Sequence, residues 1–199
     1  MQLQLQLHDG VMIDVTPDWR EAKKAATRAR IRTAALELFD SIGYDAATVE
    51  RIADAAGVTH TTFFRYFPTK EAVALSDEYD PLIAELIRAR PSSETDAEKI
   101  RAAFVTGLEA IHAEFREGLL TQLRLVLATP ALQARLWKQQ AQTQQLLLDA
   151  LGRDSFETRA VTSALIAAAS TAILAWAEAG GTQSLPRLVD RAFAAVAAG

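Results

Sequence analysis

The chain has 199 residues, half of them hydrophobic, with 21 basic and 25 acidic side chains and a formal net charge of −4. This hydrophobic content is enough for a sizeable core and excludes global disorder. The absence of cysteine excludes disulfides, thiol catalysis and zinc–thiolate sites and fits an intracellular location. We expect a cytoplasmic protein, because Met1–Leu7 lacks the basic start and continuous apolar core of a secretory signal.

Residues 1–17 form an N-terminal extension with two alternative interpretations. QLQLQL alternates with period two, Asp9-Gly10 is a turn pair, and VMIDV follows, which is the pattern of a small β-hairpin. An isolated hairpin is marginal in water, so a disordered extension is the other alternative.

The charge is unevenly distributed along the chain. From Arg20 to Arg32 there are six basic residues and one acid, giving +5, whereas residues 71–199 hold 12 basic and 16 acidic residues, giving −4. This pattern favours phosphate binding at one end, although charge runs are often only solvated helix faces. This basic run lies in the first half of helix 1, which is predicted over residues 18–42 and stops at Gly43. The core stripe of this helix is Ile31, Ala34, Ala35, Leu38 and Phe39.

The segment Thr48–Lys70, TVERIADAAGVTHTTFFRYFPTK, is the most informative part of the chain. We predict helices over 48–56 and 59–66, with Thr48 and Thr59 as N-caps and Gly57 ending the first helix with a positive φ. Phe63 and Phe67 are assigned to the core. Two short helices joined by a tight turn are typical of a helix-turn-helix, whose second helix enters the DNA major groove. By spacing alone, an ordinary helical hairpin within a bundle is the alternative.

The run GVTHTTFFRYFPTKEAV, with ARIRTAALELFDSIGYDAATVERIA upstream, resembles the DNA-binding domain of TetR-family transcriptional regulators over residues 28–73. The resemblance implies a homodimer that binds a palindromic operator in double-stranded DNA, usually as a repressor released by a small-molecule effector. It assigns DNA contacts to His60, Thr61, Thr62, Phe64 and Arg65, and a phosphate contact to Lys70. The hydroxyls of Thr48 and Thr59 are further candidates for DNA contact.

Several of these residues have alternative interpretations. Arg65 can form a bidentate contact with guanine or hold a phosphate, and His60 can be an incidental surface histidine. Many members of the family carry tyrosine at the position of Phe64, which has no hydroxyl to donate. Phe64 then packs against a sugar or a thymine methyl, or it faces the core. Tyr66 is undecided between core and DNA.

The remaining chain, 69–199, is predicted to be a helical ligand-binding and dimerisation domain that follows a helix-turn-helix domain at 18–68. Pro81 predicts a break near Asp80 in helix 4, and the next helices are expected at 97–117, 118–128, 129–151, 156–179 and 184–198. The fold class is therefore all-α with about nine helices. Residues 160–177 carry no charge and reach the threshold for a membrane span. Their Ala, Ser and Thr content favours a helix buried on nearly all sides, without membrane association.

Two sets of side chains are candidates for sites in this domain. The ligand-binding candidates are Tyr79, Phe104, His112, Phe115, Arg124 and Trp137. Arg124 in a mostly apolar helix indicates an ion pair, snorkelling or an acidic ligand, and His112 is equally a satisfied core histidine. If the resemblance holds, the last two helices pair with a second copy, whereas a monomeric bundle core is the alternative. The dimer candidates are Leu165, Ala169, Ile173, Trp176, Leu188 and Phe193.

The sequence does not favour an enzyme, a metal site or a cofactor. The three histidines have no metalloprotease spacing, and there is no glycine-rich phosphate loop or nucleophile motif. Glu109 and His112 give one Glu-x-x-His match, but a di-iron site needs two. A helical adaptor that binds only protein is the other alternative, and it requires neither the basic run nor the motif at 48–70.

Overall fold

A computed structural model describes residues 4–6, 12–14, 19–76, 79–110 and 113–198. Within these ranges the regular secondary structure is helical apart from two three-residue strands, which confirms the all-α fold class. The elements are β1 (Gln4–Gln6), β2 (Met12–Asp14), α1 (Trp19–Ile42), α2 (Val49–Ala55), α3 (His60–Tyr66), α4 (Lys70–Ala74), α5 (Asp80–Arg88), α6 (Asp96–Glu109), α7 (Ala113–Ala128), α8 (Pro130–Gln133), α9 (Leu136–Leu151), α10 (Phe156–Glu178) and α11 (Leu185–Ala198).

The two strands pair antiparallel, with Leu5 opposite Ile13. This pairing agrees with the hairpin interpretation of the N-terminal extension. The predicted Asp9-Gly10 turn lies outside the described residues.

The chain divides into two compact units, Met1–Val73 and Ala74–Gly199. Most of α4 therefore belongs to the first unit, whereas we had grouped it with the C-terminal domain. The first unit is built by α1 to α3, whose buried side chains include Ile31, Ala35, Ile52, Phe63 and Phe67. Leu38, predicted for this core, is half-buried.

The second unit packs α5, α6, α9, α10 and α11 around Ile87, Ile100, Leu147, Trp176 and Val189. The predicted break at Pro81 is confirmed: α4 ends at Ala74, and Pro81 lies in the first turn of α5. Proline is accepted there because the first turn of a helix has no partner for its backbone N–H groups.

Two other predicted boundaries were wrong. We expected a helix to end before Gly118, but Gly118 lies inside α7, which begins at Ala113. A glycine lowers helix stability by only about 1 kcal/mol, so it does not by itself end a helix. The helix predicted over 129–151 is interrupted at Ala134 and Arg135, between α8 and α9.

Helix α10 is less buried than we expected. By length and composition it could cross a membrane, a test that core helices also pass. Only 39% of its most apolar 18-residue window is buried within the chain, so the expectation of burial on nearly all sides was wrong. The solvent-facing residues of α10 include Ala160, Ala164, Ala167, Thr171 and Ala175. They recur at helical spacing and form an exposed stripe of small side chains.

Candidate nucleic-acid interface

The turn between α2 and α3 has the caps that the sequence predicts. Thr48 Oγ1 accepts the backbone N–H of Arg51 at 3.4 Å, and Thr59 Oγ1 accepts that of Thr62 at 3.1 Å. Gly57 has φ = +62°, a left-handed conformation that costs an L-residue energy and glycine almost none. These local interactions fix where α2 ends and where α3 begins.

Helix α3 has one buried and one exposed side. Phe63 is fully buried and Phe67 follows it at 1% exposure, so their assignment to the core is confirmed. The exposed side carries His60, Thr61, Phe64 and Arg65. Residues three and four positions apart adjoin on a helix surface, so His60 lies beside Phe64, and Thr61 lies beside both Phe64 and Arg65. These four side chains form one continuous surface. The half-buried Thr62 lies at its edge, where its hydroxyl bonds that of Thr59 at 2.9 Å.

Phe64 lies on this surface and not in the core. Its side chain is 42% exposed, and its ring meets those of His60 and Phe63 edge-on, with centroids 4.7 and 5.4 Å apart. Tyr66 is half-buried, with the Arg65 guanidinium 5.3 Å from its ring centroid. The core alternative for Phe64 is therefore wrong, and Phe64 presents apolar surface beside polar groups.

An acidic side chain that we had not predicted lies next to His60. Glu50 Oε1, in the first turn of α2, is 3.4 Å from His60 Nε2, and both side chains are exposed. The pKa of Glu50 lies below its ordinary value, because its own backbone N–H and the Thr48 hydroxyl hydrogen-bond the carboxylate, with smaller help from His60. Glu50 therefore stays ionised and restrains the imidazole on the exposed side of α3.

Two cations lie near the ends of these helices. Lys70 Nζ donates to the Tyr44 carbonyl at 2.7 Å and lies 4.1 Å from the Tyr44 ring centroid. An ammonium group has three donors, so this bond leaves Lys70 with capacity for a phosphate. Arg28, which we had not named as a site residue, donates to the Tyr66 carbonyl at 3.1 Å and stacks 4.3 Å from the Phe67 ring centroid.

Of the six ligand-binding candidates, the four that the structure describes differ widely in burial. Phe104 is buried in the core, with its ring edge-on to Phe193 at 5.6 Å, whereas Trp137 is 71% exposed. Arg124 is also exposed and Tyr79 is half-buried. His112 and the side chain of Phe115 lie outside the described residues.

A cavity of about 420 Å³ lies in the second unit, and none of the four candidates that the structure describes is among the residues that line it. Its wall is formed by Leu108, Glu109, Arg116, Leu119, Thr182, Gln183, Ser184, Leu185 and Pro186. Arg116 donates to the carbonyls of Gly181 and Gln183 at 2.8 and 3.2 Å. This wall brings the last residues of α6 and the first turns of α7 together with the α10–α11 loop. Because that loop is far from α6 and α7 in the sequence, no local sequence pattern could predict the cavity.

The dimer candidates divide into two groups. Four of them, Leu165, Ala169, Trp176 and Phe193, are at most 5% exposed within the single chain, and only Ile173 and Leu188 are half-buried. The first four side chains are packed inside the subunit and are not available to a second copy. The part of α10 that is exposed in the single chain is its stripe of small side chains.

The capped α2–turn–α3 pair, with its polar and aromatic exposed side, defines a DNA-binding helix-turn-helix protein. Residues 31–76 match the sequence profile of bacterial regulatory proteins of the tetR family, and residues 95–199 match that of the MftR C-terminal domain. The chain belongs to the TetR family of transcriptional regulators, and the predicted resemblance is confirmed.

Comparison with individual proteins gives the same result. The chain is 36% identical to the regulator TcmR of Streptomyces glaucescens over 125 residues, 59% of this chain and 55% of TcmR. It is 30% identical to MftR of Mycobacterium tuberculosis over 118 residues, 56% of this chain and 57% of MftR. The matches thus span little more than half the length of these relatives. Thermus thermophilus FadR, a TetR-family repressor crystallised with lauroyl-CoA, superposes with a TM-score of 0.54 at 27% identity, covering 83% of this chain and 90% of FadR.

Proposed function

We propose that this protein is a transcriptional repressor that binds a palindromic operator as a homodimer and is released by a small-molecule effector. The observation that carries the DNA-binding part is the exposed surface of α3. His60, Thr61, Phe64 and Arg65 point away from a side that is anchored by the buried Phe63. A two-fold dimer would place two such helices in successive major grooves, about 34–36 Å apart.

Each side chain on this surface has a chemical role in the proposal. Arg65 has the geometry for a bidentate contact with guanine, and the Thr61 hydroxyl can reach a base or a phosphate. Phe64 offers an apolar contact to a thymine methyl, which is consistent with its exposure. Lys70 and Thr48 are proposed to hold phosphates on either side of the groove. The hydroxyls of Thr59 and Thr62 bond each other at the start of α3, so their first role is to fix that helix end.

Dimerisation is proposed through the exposed stripe of α10. Small side chains let two helices approach closely. Contact with a second copy would also remove this charge-free surface from water, which is favourable. We expect Ala164→Glu to turn a dimer into a monomer in light scattering, because it buries an unpaired charge in the interface. Ala131→Glu, at an exposed position of α8, is the matched control and leaves the dimer intact.

The effector is proposed to bind in the second unit, in the cavity beside Arg116. Its volume of about 420 Å³ falls within the range of about 300–1,000 Å³ that is typical of small-molecule sites. The apolar wall of Leu108, Leu119 and Leu185, beside the opposite charges of Glu109 and Arg116, favours a small effector with an apolar body and a polar end. Arg116→Ala is expected to abolish the response to such an effector without changing the affinity for DNA.

The test is selection of DNA from a random library by the purified protein, followed by binding measurements on the enriched sequence. We expect one palindrome, an affinity that falls steeply with salt, and, for Arg65→Ala, a loss of about tenfold to a hundredfold per half-site, the cost of one bidentate base contact. Arg187→Ala, an exposed arginine in α11, is the control. If a dimeric, folded protein enriches no sequence, the function of a protein-binding adaptor is favoured instead.

A further inference from the structure

Glu50 is an acid on the surface that is proposed to face DNA. It lies in the first turn of α2, it is exposed, and its carboxylate is 3.4 Å from the imidazole of His60 at the start of α3. Duplex DNA carries one negative charge per about 1.7 Å of its axis, so a carboxylate beside the helix that enters the groove weakens binding to every sequence. A role at the start of α2, or a role in recognition, must offset this disadvantage.

The start of α2 explains why Glu50 is ionised but not why it lies beside His60. The pKa of Glu50 is lowered mainly by hydrogen bonds from its own backbone N–H and the Thr48 hydroxyl. Glu157 has the same position in α10, two residues after the N-cap Ser155, and its pKa is lowered by its own backbone N–H and the Ser155 hydroxyl. An acid at this position is a general way to stabilise a helix start. The contact of Glu50 with His60 is additional to it.

His60 is held from two sides. Glu50 Oε1 lies 3.4 Å from Nε2, and the Phe64 ring meets the imidazole edge-on, with centroids 4.7 Å apart and an interplanar angle of 74°. An exposed side chain is ordinarily free to change rotamer, and ordering it on binding costs entropy. Because His60 is placed before DNA arrives, less of this entropy is lost at the first residue of α3, where recognition helices contact base edges.

The contact also determines which nitrogen of His60 carries a hydrogen. An ionised carboxylate only accepts hydrogen bonds, so the imidazole nitrogen that faces it is a donor. In the neutral ring, a hydrogen on Nε2 leaves Nδ1 as an acceptor. The groups that Glu50 and His60 together have for a further partner are therefore acceptors, namely Nδ1 and the carboxylate oxygens.

The four bases differ in what their major-groove edges offer to such acceptors. Adenine has the N6 amino donor and cytosine the N4 amino donor, whereas the polar groups of guanine and thymine on this edge are all acceptors. An acceptor pair at the start of α3 thus favours adenine or cytosine at the base that it reads and repels guanine. An unfavourable contact with the wrong base is one of the two ways in which a protein gains specificity.

We propose that Glu50 is a specificity-determining residue of the DNA-binding surface, which orients His60 to read the amino group of an adenine or a cytosine in each half-site. This inference rests on the proposed DNA-binding function and adds to it the residue that selects one class of base. Glu50 is a positioning residue that acts through His60. It lowers the affinity for random DNA and raises the preference for the correct base.

The test is selection of DNA from a random library by the wild type, Glu50→Gln, His60→Ala and the double variant. The position that His60 reads is the one whose base preference disappears in His60→Ala. There we expect adenine or cytosine for the wild type. The preference should be about twofold to tenfold weaker in Glu50→Gln, the range of one hydrogen bond, because a neutral amide presents donors as well as an acceptor. In the double variant Glu50→Gln causes no further loss, since its effect passes through His60.

A second readout is the affinity for a random-sequence duplex, measured by fluorescence anisotropy. Glu50→Gln removes a negative charge from the surface that faces DNA and should raise this affinity about twofold to fivefold per subunit, the range of one exposed charge interaction. Glu157→Gln is the matched control, because it removes the same charge from the same position of a helix outside the helix-turn-helix. It should leave both affinity and base preference unchanged. Circular dichroism and light scattering check that each variant is folded and dimeric.

The outcomes separate this proposal from the function on which it rests. If Glu50→Gln selects the wild-type site with the wild-type preference, the proposal is overturned and the DNA-binding function stands. The same holds if the loss of preference is equal at every position, or if Glu50→Gln causes its full loss in the His60→Ala background, because Glu50 then acts on the fold or on DNA directly. If the wild type enriches no sequence, the DNA-binding function and this proposal are both wrong.

Discussion

The same substitution, glycine to alanine, should have three different effects at three positions of this chain. Gly57 has φ = +62°, and a Cβ added there meets nothing within 4 Å. The cost of Gly57→Ala is therefore purely conformational. The left-handed backbone costs alanine about 1–2 kcal/mol, and this cost is reduced by about 0.4–1 kcal/mol because alanine restricts the unfolded chain. We expect Gly57→Ala to lower the free energy of unfolding by about 1 kcal/mol.

Gly181 adds a steric cost to the conformational one. Its φ is +73°, and an added Cβ would lie 3.0 Å from a methyl of Leu120 and 3.1 Å from the ring of Trp176, which is fully buried. Overpacking of this kind costs about 1–3 kcal/mol, so Gly181→Ala should destabilise by about 2–4 kcal/mol in all. The change also distorts the loop that lines the cavity.

Gly118 is the control with neither cost. It lies inside α7, and its added Cβ also meets nothing within 4 Å. Alanine is the better helix former by about 0.8–1.0 kcal/mol, so Gly118→Ala should stabilise the protein. Urea unfolding followed by circular dichroism gives the three values, and Gly57→Asn should cost less than Gly57→Ala, because asparagine tolerates the left-handed region. Equal values for Gly57→Ala and Gly118→Ala would refute the reasoning from backbone conformation.

Two further predictions concern α3 and the start of α6. Phe63→Ala should lower the free energy of unfolding in urea by about 3–5 kcal/mol, because it truncates a fully buried aromatic side chain. Phe64→Ala changes an exposed side chain and should leave stability nearly unchanged while it weakens DNA binding. Similar losses of stability for the two variants would contradict a helix with one buried and one exposed side. Thr95→Ala should cost about 1 kcal/mol because it removes an N-cap. The pKa of Glu98 is lowered by hydrogen bonds from the backbone N–H and hydroxyl of Thr95, so its stabilisation is present above the unfolded value of about 4.3. It is lost as the pH falls through the lower folded value, and Glu98→Gln should therefore be less stable than wild type at neutral pH but not in strong acid.

The helix-turn-helix could be predicted in detail because its signals are local. The caps at Thr48 and Thr59 and the turn at Gly57 each act within three or four residues, and the structure confirms all three. The burial of Phe63 and Phe67 was predicted from the same short segment. The helix boundaries within the second unit were harder to predict, since Gly118, which does not end a helix, and Ala134, which does follow one, both carry weak local signals that the packing of neighbouring helices overrides.

The sequence by itself determined the family, the all-helical class and the exposure of His60, Thr61 and Arg65 on α3, because helical periodicity and capping are encoded in neighbouring residues. The exposure of Phe64, which the sequence left open, was decided by the structure. Tertiary structure alone decided that Trp176 and Phe193 pack inside the subunit, because their burial depends on helices far away in the chain. The same holds for the cavity, where Arg116 donates to a carbonyl 65 residues away. Tertiary structure also brought Arg28 of α1 to the end of α3, because Arg28 and Tyr66 meet only when the chain folds.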